Sequence, residues 1–262
     1  MDYANLFRLD GRRVAVVGGA GGIGRVAVRA LVAQGADVVV ADRDEKGAEQ
    51  TVALAGADAD RSGTASAYAL DVLDPAAIRA AADEWGPLDA LVVTVGANVR
   101  KRIADYTLDE FDRVIALNLR AYVSLVQAFA PGMAERGRGS VVGFASMRAF
   151  QVEPGQSVYA ASKAGLIQFL RTAAAEWGPR GVRFNAVAPG VVRTPLTDQI
   201  AADPAWYDAY AQASALKRWA RADELAGAVA YLVSDASTYV TGSVLTVDGG
   251  WTAVDGRYDP AL

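Results

Sequence analysis

The chain has 262 residues, 26 basic against 30 acidic for a formal charge of −4, and it contains neither histidine nor cysteine. Those two zeros exclude Ser-His-Asp hydrolases, cysteine nucleophiles, disulfide frameworks and His- or thiolate-ligated metal sites. Acid-base chemistry must therefore come from Tyr, Lys or a carboxylate, and no metal is expected. The mild acidity offers nothing for nucleic acid, the first residues lack a signal peptide's apolar region, and no apolar run approaches the roughly 18 residues of a membrane span. The expected location is cytoplasmic.

A hydrophobic fraction of 52% with 21% charged residues supports one large core. Short β-branched runs alternate with helical stretches, the pattern of a doubly wound α/β fold whose parallel sheet is covered by helices on both faces. Seven strands are expected near Arg13 to Val17, Asp37 to Ala41, Ala65 to Leu70, Ala90 to Val95, Ser140 to Ala145, Arg183 to Val187 and Val244 to Val247. Helices are expected to start near Gly22, Asp44, Pro75, Thr107, Ser157 and Asp223. With no repeat or linker, residues 1–262 read as a single dinucleotide-binding and catalytic domain. The stretch from Pro189 to Arg221 carries the weakest signal for regular structure and reads as a substrate-binding lid, about residues 190–221.

The first strand runs into Gly18-Gly19-Ala20-Gly21-Gly22-Ile23-Gly24 and then a helical pattern. A pyrophosphate needs close backbone approach, free N–H groups and a helix N-terminus, which this order provides. Asp42 ends the second strand where a carboxylate would accept the adenosine ribose hydroxyls and repel a 2′-phosphate, favouring NAD over NADP. Arg43 follows it and could meet a phosphate, but Gly21 leaves the turn without a second basic group.

Tyr159-Ala-Ala-Ser-Lys163 places a phenol and an ammonium on one helix face. A cation beside the phenol favours the phenolate and makes it a usable base. An ordinary amphipathic face would give the same spacing, so the surroundings decide.

Together these residues resemble the short-chain dehydrogenase/reductase family, and the resemblance covers nearly the whole chain. Gly18, Gly22 and Gly24 match its glycine turn, Tyr159 and Lys163 its Tyr and Lys, and Ser146, thirteen residues before the Tyr, its catalytic Ser. Asn118 matches its structural and proton-relay Asn, and Asp71-Val72 the pair that flanks the adenine. Asn185-Ala-Val-Ala-Pro-Gly190 matches the turn beside the nicotinamide, followed by Thr194 at the carboxamide-binding position. Tyr239-Val-Thr-Gly through Asp248-Gly-Gly matches the C-terminal signature. Two positions depart from the pattern: Val17 stands where Thr is usual, and Val93-Thr94-Val95-Gly96 where Asn-Asn-Ala-Gly is usual. The missing side chains normally tie neighbouring loops together.

The resemblance implies a catalytic set of Asn118, Ser146, Tyr159 and Lys163. The cofactor set comprises Gly18, Gly21, Gly22, Ile23, Gly24, Asp42, Arg43, Asp71, Val72, Gly96, Tyr159, Lys163, Pro189, Gly190, Val192 and Thr194. In this mechanism Tyr159 moves the hydroxyl proton, Ser146 hydrogen-bonds the same oxygen, Lys163 holds the nicotinamide ribose and lowers the Tyr pKa, and Asn118 holds a water that links Lys163 to solvent. The resemblance further implies a homotetramer built through the helices after Thr107 and Ser157 and the last strand.

For the substrate, Arg100, Lys101, Arg102, Arg148 and Arg193 bring positive charge to the expected site. Arg100 and Arg148, with Gln151, Ser146 and Tyr159, are the candidates, and Arg102 and Arg193 the bystanders. They suit a sugar, sugar acid or other anionic polyol, including a phosphorylated or sulfonated sugar. The loop Gly96-Ala-Asn-Val-Arg-Lys is similar to that of sugar and sugar-acid dehydrogenases of the family. Trp206, Tyr207, Tyr210 and Trp219 keep open an apolar pocket for a 3-oxoacyl thioester or hydrophobic ketone. A catalytically silent NAD-binding sensor or scaffold is the alternative of another class. The tail from Trp251 to Leu262, with Tyr258 and Pro260, is a candidate to reach a neighbouring subunit's active site.

Overall fold

A computed structural model of the chain describes residues 3–57 and 63–254. Strands β1 (Arg13–Val17), β2 (Asp37–Asp42) and β3 (Thr64–Ala69) alternate with helices α1 (Gly22–Ala33), α2 (Glu45–Ala57) and α3 (Pro75–Trp85). After β4 (Ala90–Val93) come α4 (Leu108–Ile115) and α5 (Ala121–Glu135), joined by a π turn over Ala116–Arg120. Then follow β5 (Gly139–Phe144), α6 (Ser157–Trp177), β6 (Val182–Pro189), α7 (Asp198–Ala201), α8 (Pro204–Ala213), α9 (Ala226–Val233) and β7 (Val244–Val247).

All seven strands pair in parallel in the order β3-β2-β1-β4-β5-β6-β7. Side chains alternate across a strand, so each central strand feeds two cores. Ala15, Val17, Val39, Ala41, Leu91 and Val93 pack on one face with α3, α5 and α6 residues such as Ile78, Leu125 and Leu166. Val14, Val16, Val38, Val40, Ala90 and Val92 pack on the other with Val28, Leu31 and Val229. Burial on both faces is why these strands read as unbroken apolar runs rather than alternating ones. Strand order reverses between β1 and β4, which opens a crevice outside the carboxyl ends of the strands.

The continuous helix from Leu108 to Glu135 is long and apolar enough to cross a bilayer by count. Its apolarity has another cause, since Tyr122, Leu125, Phe129 and Met133 are buried against the sheet. A capping box starts it: Thr107 Oγ1 accepts from the Glu110 N–H at 3.2 Å, and the Glu110 carboxylate accepts from the Thr107 N–H at 3.1 Å.

Besides β6, which runs to Pro189 rather than Val187, three details differ from the sequence expectation. β4 stops at Val93 rather than Val95, because the chain there turns into the crevice. The helix expected near Asp223 opens as a 3₁₀ turn over Ala222–Leu225 before α9. The stretch from Pro189 to Arg221 holds α7 and α8, and the Asp203 carboxylate caps α8 by accepting from the N–H groups of Ala205 and Trp206 at 3.0 and 3.2 Å. Asp203-Pro204 is a sound helix start that the density of loop-like residues around it obscured.

Candidate active site

The glycine turn divides by function. Gly18 and Gly19 donate to the Ala41 carbonyl at 2.8 and 3.2 Å, tying β1 to β2. Gly18 has a φ of +91°, and a Cβ on Gly24 would lie 2.0 Å from the Gly18 carbonyl oxygen. These two glycines are required by folding. A Cβ on Gly21 would meet nothing within 4 Å, although Gly21 is the N-cap of α1. The turn therefore leaves open space beside a helix N-terminus, a cradle that fits a dinucleotide's pyrophosphate. Ile23 packs partly buried against the core below it.

Asp42 stands at the end of β2, its two oxygens accepting from the N–H groups of Ala20 at 3.1 Å and Asp44 at 3.0 Å. Each oxygen keeps a lone pair for a further donor. Arg43 beside it is exposed. Asp71 is exposed and accepts from the Leu73 N–H at 2.9 Å, with Val72 buried. Across the crevice Pro189 ends β6, and the Gly190 N–H donates to the Val247 carbonyl at 3.0 Å. A Cβ on Gly190 would lie 2.6 Å from the Asp248 Cα, so only glycine fits between β6 and the C-terminal turn. Val192 is buried and bridges to Ala220. The Thr194 methyl is the nearest group to Gly22, 3.5 Å from where its Cβ would stand. Gly22 and Thr194 thus face one another across the crevice.

The two departures from the family pattern answer one another. Thr94 at the end of β4 donates its hydroxyl toward the carbonyls of Val17 at 3.1 Å and Gly18 at 3.0 Å, so the tie between β1 and β4 is made from the opposite strand. Tyr122 Oη adds hydrogen bonds to the carbonyls of Val93 at 2.8 Å and Val95 at 3.3 Å.

Asn118 lies in the π turn between α4 and α5, where the altered helical pitch aims its side chain at the loop after β4. Its Oδ1 accepts from the Ala97 N–H at 2.8 Å, and its Nδ2 donates to the Ala97 carbonyl at 2.9 Å and to Ser162 Oγ at 3.0 Å. Both amide protons are committed, so this side chain braces the loop against α6. Gly96 belongs to that loop, and a Cβ there would stand 3.3 Å from Lys163 Nζ.

Ser146 ends the β5 segment. Its Oγ accepts from the Arg148 N–H at 3.1 Å, and it acts on the Tyr159 phenol nearby. Burial pushes the Tyr159 hydroxyl above the usual tyrosine range, and the Ser146 hydrogen bond with the charges of Arg100 and Arg148 works against that. The sequence assigned this charge effect to Lys163. In the structure burial lowers Lys163 to about 7, and its Nζ donates to the Phe144 carbonyl at 2.7 Å, 5.8 Å from the centre of the Tyr159 ring.

The substrate side needs correction. Arg148 is buried but not free: its Nη2 pairs with Glu153 at 2.8 Å and donates to Tyr210 Oη at 3.2 Å. Its guanidinium lies 5.6 Å from the Tyr210 ring centre and 5.4 Å from that of Trp251. Arg100 is half-buried, its Nε without a hydrogen-bond partner among the described residues. Arg102 and Arg193 are exposed, and Lys101 pairs with Glu110 at 2.5 Å. Gln151 is half-buried.

Sequence reasoning missed Glu153 and Gln156. Tyr210 Oη donates to the Glu153 carboxylate at 2.5 to 2.6 Å, Gln156 Nε2 donates to the same group, and Asn98 Nδ2 donates to Gln156 Oε1 at 2.9 Å. Only the density of polar residues between Ser146 and Tyr159 hinted at this. The aromatic cluster is packing: Tyr207 stacks on Trp219 at 4.7 Å, and Tyr210 and Trp219 form a small core with Ile200 and Ala211. Trp251, expected at a neighbour, packs edge-on to Tyr210 of its own chain at 5.3 Å. Asp248 holds it there by accepting from Gly250 and Thr252. Tyr258 and Pro260 lie outside the described residues.

Comparison with known proteins covers the same span. A family model described as enoyl-(acyl carrier protein) reductase matches residues 18–252. D-threitol dehydrogenase of Mycolicibacterium smegmatis is 37% identical over 250 residues, 94% of this chain and 95% of that protein. The 3-alpha-(or 20-beta)-hydroxysteroid dehydrogenase of Mycobacterium bovis is 38% identical over 251 residues, 94% of this chain and 91% of that protein. Among solved structures, a gluconate 5-dehydrogenase from Burkholderia cenocepacia in complex with NADP and tartrate superposes with a TM-score of 0.90 at 32% identity, covering 95% of this chain and 98% of the other. Agreement of this extent, reached independently of the crevice geometry, makes the chain a member of the short-chain dehydrogenase/reductase family and an oxidoreductase of CH–OH groups that uses a nicotinamide cofactor.

Proposed function

We propose that the protein is an NAD-dependent dehydrogenase acting on a secondary hydroxyl, or a hemiacetal, of a sugar, polyol or sugar acid. The observation that carries this reading is Ser146 beside the buried Tyr159 hydroxyl, with the charges of Arg100 and Arg148 and the polar loops after β4 and β5. The threitol and gluconate dehydrogenases among its relatives support it. The hydrophobic-ketone reading, which the hydroxysteroid dehydrogenase would favour, is weaker because the aromatic faces are used in mutual stacking and on Arg148.

The nicotinamide ring, when bound, supplies the hydride acceptor or donor. The chain supplies the rest. Tyr159 takes the substrate hydroxyl proton in oxidation and returns it in reduction, while Ser146 holds the same oxygen. The charges of Arg100 and Arg148 oppose the rise that burial imposes on the Tyr159 hydroxyl. Lys163, close to neutrality in its buried site, gains charge when ribose hydroxyls give its ammonium further acceptors. Asn118 is a positioning residue, holding the Gly96-Ala97 loop against α6.

Asp42 supports NAD, its free lone pairs suiting ribose hydroxyls and its charge opposing a 2′-phosphate. The residues from 190 to 221 form the lid over one catalytic domain, α8 carrying Tyr210 to the site. Exposed Leu108 and Phe111 on α4 and the edge position of β7 support the tetramer.

The test is NADH formation across a panel of polyols, sugars and sugar acids. Turnover of at least one is expected, and Tyr159→Phe should lower kcat by about 10³-fold with nucleotide affinity nearly unchanged. A variant within tenfold of the parent overturns the assignment. Thermal stabilisation by NAD should exceed that by NADP, and Asp42→Ala should narrow the gap.

A further inference from the structure

The segment between Ser146 and Tyr159 contains a buried charge pair that the proposed reaction does not use. Arg148 lies two residues beyond Ser146, and its backbone N–H holds Ser146 Oγ at 3.1 Å. Its guanidinium is nevertheless turned onto Glu153 at 2.8 Å, with side-chain exposures of 8% and 22% for the pair. Four segments fix this arrangement. Tyr210 from α8 donates to Glu153 and accepts from Arg148, Trp251 covers the guanidinium, and Gln156, itself held by Asn98, donates to Glu153. Arg100, the other arginine whose charge reaches the Tyr159 hydroxyl, has no acidic partner among the described residues.

We propose that Glu153 is a specificity-determining residue that sets the substrate charge: by neutralising Arg148 it makes that end of the site a surface for hydroxyls and excludes a phosphate or second carboxylate. The unpaired charge at Arg100 still accepts a single carboxylate. The substrates are then neutral polyols and monoanionic sugar acids, not phosphorylated or sulfonated sugars. This rests on the sugar or sugar-acid reading above. A buried arginine stripped of its partner becomes an uncompensated charge that seeks an anion, so replacing the carboxylate by its uncharged isostere inverts the preference.

The experiment compares the parent with Glu153→Gln in kcat/KM for a neutral polyol, a sugar acid and the corresponding sugar phosphate. The ratio of sugar phosphate to neutral polyol should rise about tenfold or more, through KM rather than kcat. A ratio within twofold of the parent, or equal losses on all three substrates, overturns the proposal. Thermal stabilisation by inorganic phosphate gives a readout that needs no turnover. Glu153→Gln should gain stabilisation over the parent, and Glu153→Gln/Arg148→Met should lose that gain. Equal stabilisation of all three overturns the proposal, as does a gain that survives in the double variant. If Glu153→Gln does not fold, Glu153→Ala/Tyr210→Phe in the same phosphate assay takes its place with the same expected gain. A parent inactive on every sugar with the phosphate gain intact would overturn the substrate reading and leave the charge pairing standing.

Discussion

The two walls of the crevice are built by different means. On the proposed nucleotide side the elements are backbone: open space at Gly21, the N-terminus of α1, a strand end at Asp42, and glycines that fit where no Cβ could. On the proposed substrate side they are side chains from distant segments, Arg148, Glu153, Tyr210 and Trp251, held by hydrogen bonds and ring contacts. A backbone site is written in contiguous residues because only local φ, ψ and the absence of a Cβ create it. A side-chain site depends on which loops meet, and no local spacing reveals that.

The contrast can be broken first at the turn. Gly24→Ala would place a methyl 2.0 Å from the Gly18 carbonyl oxygen, and backbone cannot yield as a flexible side chain can. It should cost about 3 kcal/mol or more and lower the melting temperature by many degrees with or without nucleotide. Gly21→Ala, extended at a φ of −161° and facing open space, should leave the unliganded stability within about 0.5 kcal/mol while weakening NAD binding. Calorimetry of both variants with and without NAD separates the folding glycine from the binding one. Equal behaviour would mean that the turn is a structural unit throughout.

Legibility follows the same division. Strand positions were readable because β1, β2 and β4 are buried on both faces, and their ends shifted by only one or two residues. Tyr159 and Lys163 were found by spacing and share one turn of α6, whereas Asn118 and Ser146 came from the family resemblance, Ser146 lying just beyond β5. The charge state was not readable. Arg148 looked like an anion receptor because its partner five residues on obeys no helix or strand period, and Tyr210 lies 62 residues away.

Lys163 stands where the two walls meet, and its titration sharpens the comparison. Burial lowers it from 10.5 to about 7. Between those values the unfolded lysine binds a proton that the folded one lacks, so stability rises with pH through the window and the full cost of burying the charge is felt below about 7. The raised Tyr159 value acts oppositely, but only above the ordinary tyrosine range. Without nucleotide, the melting temperature should therefore climb from pH 7 to 9, and Lys163→Met should flatten the climb. A variant as pH-dependent as the parent would place the titrating group elsewhere. Bound NAD should also flatten it, because ribose acceptors favour the charged form.

The smallest effect is expected where the chain departs from its family. Thr94 Oγ1 lies 2.5 Å from where a Gly18 Cβ would stand and 2.8 Å from where a Gly24 Cβ would stand, and it bonds the carbonyls of Val17 and Gly18. The hydroxyl thus fills the space that the glycines vacate, and the valine at position 17 is tolerable because the tie is made from β4. Thr94→Val keeps the shape and removes the hydroxyl donor to the Gly18 carbonyl, while the Val17 carbonyl retains the N–H of residue 94 at 2.8 Å. It should cost about 1 kcal/mol, read as a lower urea midpoint with an unchanged slope, and Thr94→Ser should recover most of the loss. Restoring a threonine at position 17 in the Thr94→Val background should recover the rest if the two strands are interchangeable as sources of the hydroxyl. If it does not, the tie depends on the direction from which the hydroxyl approaches, and the turn's geometry is adapted to β4 specifically.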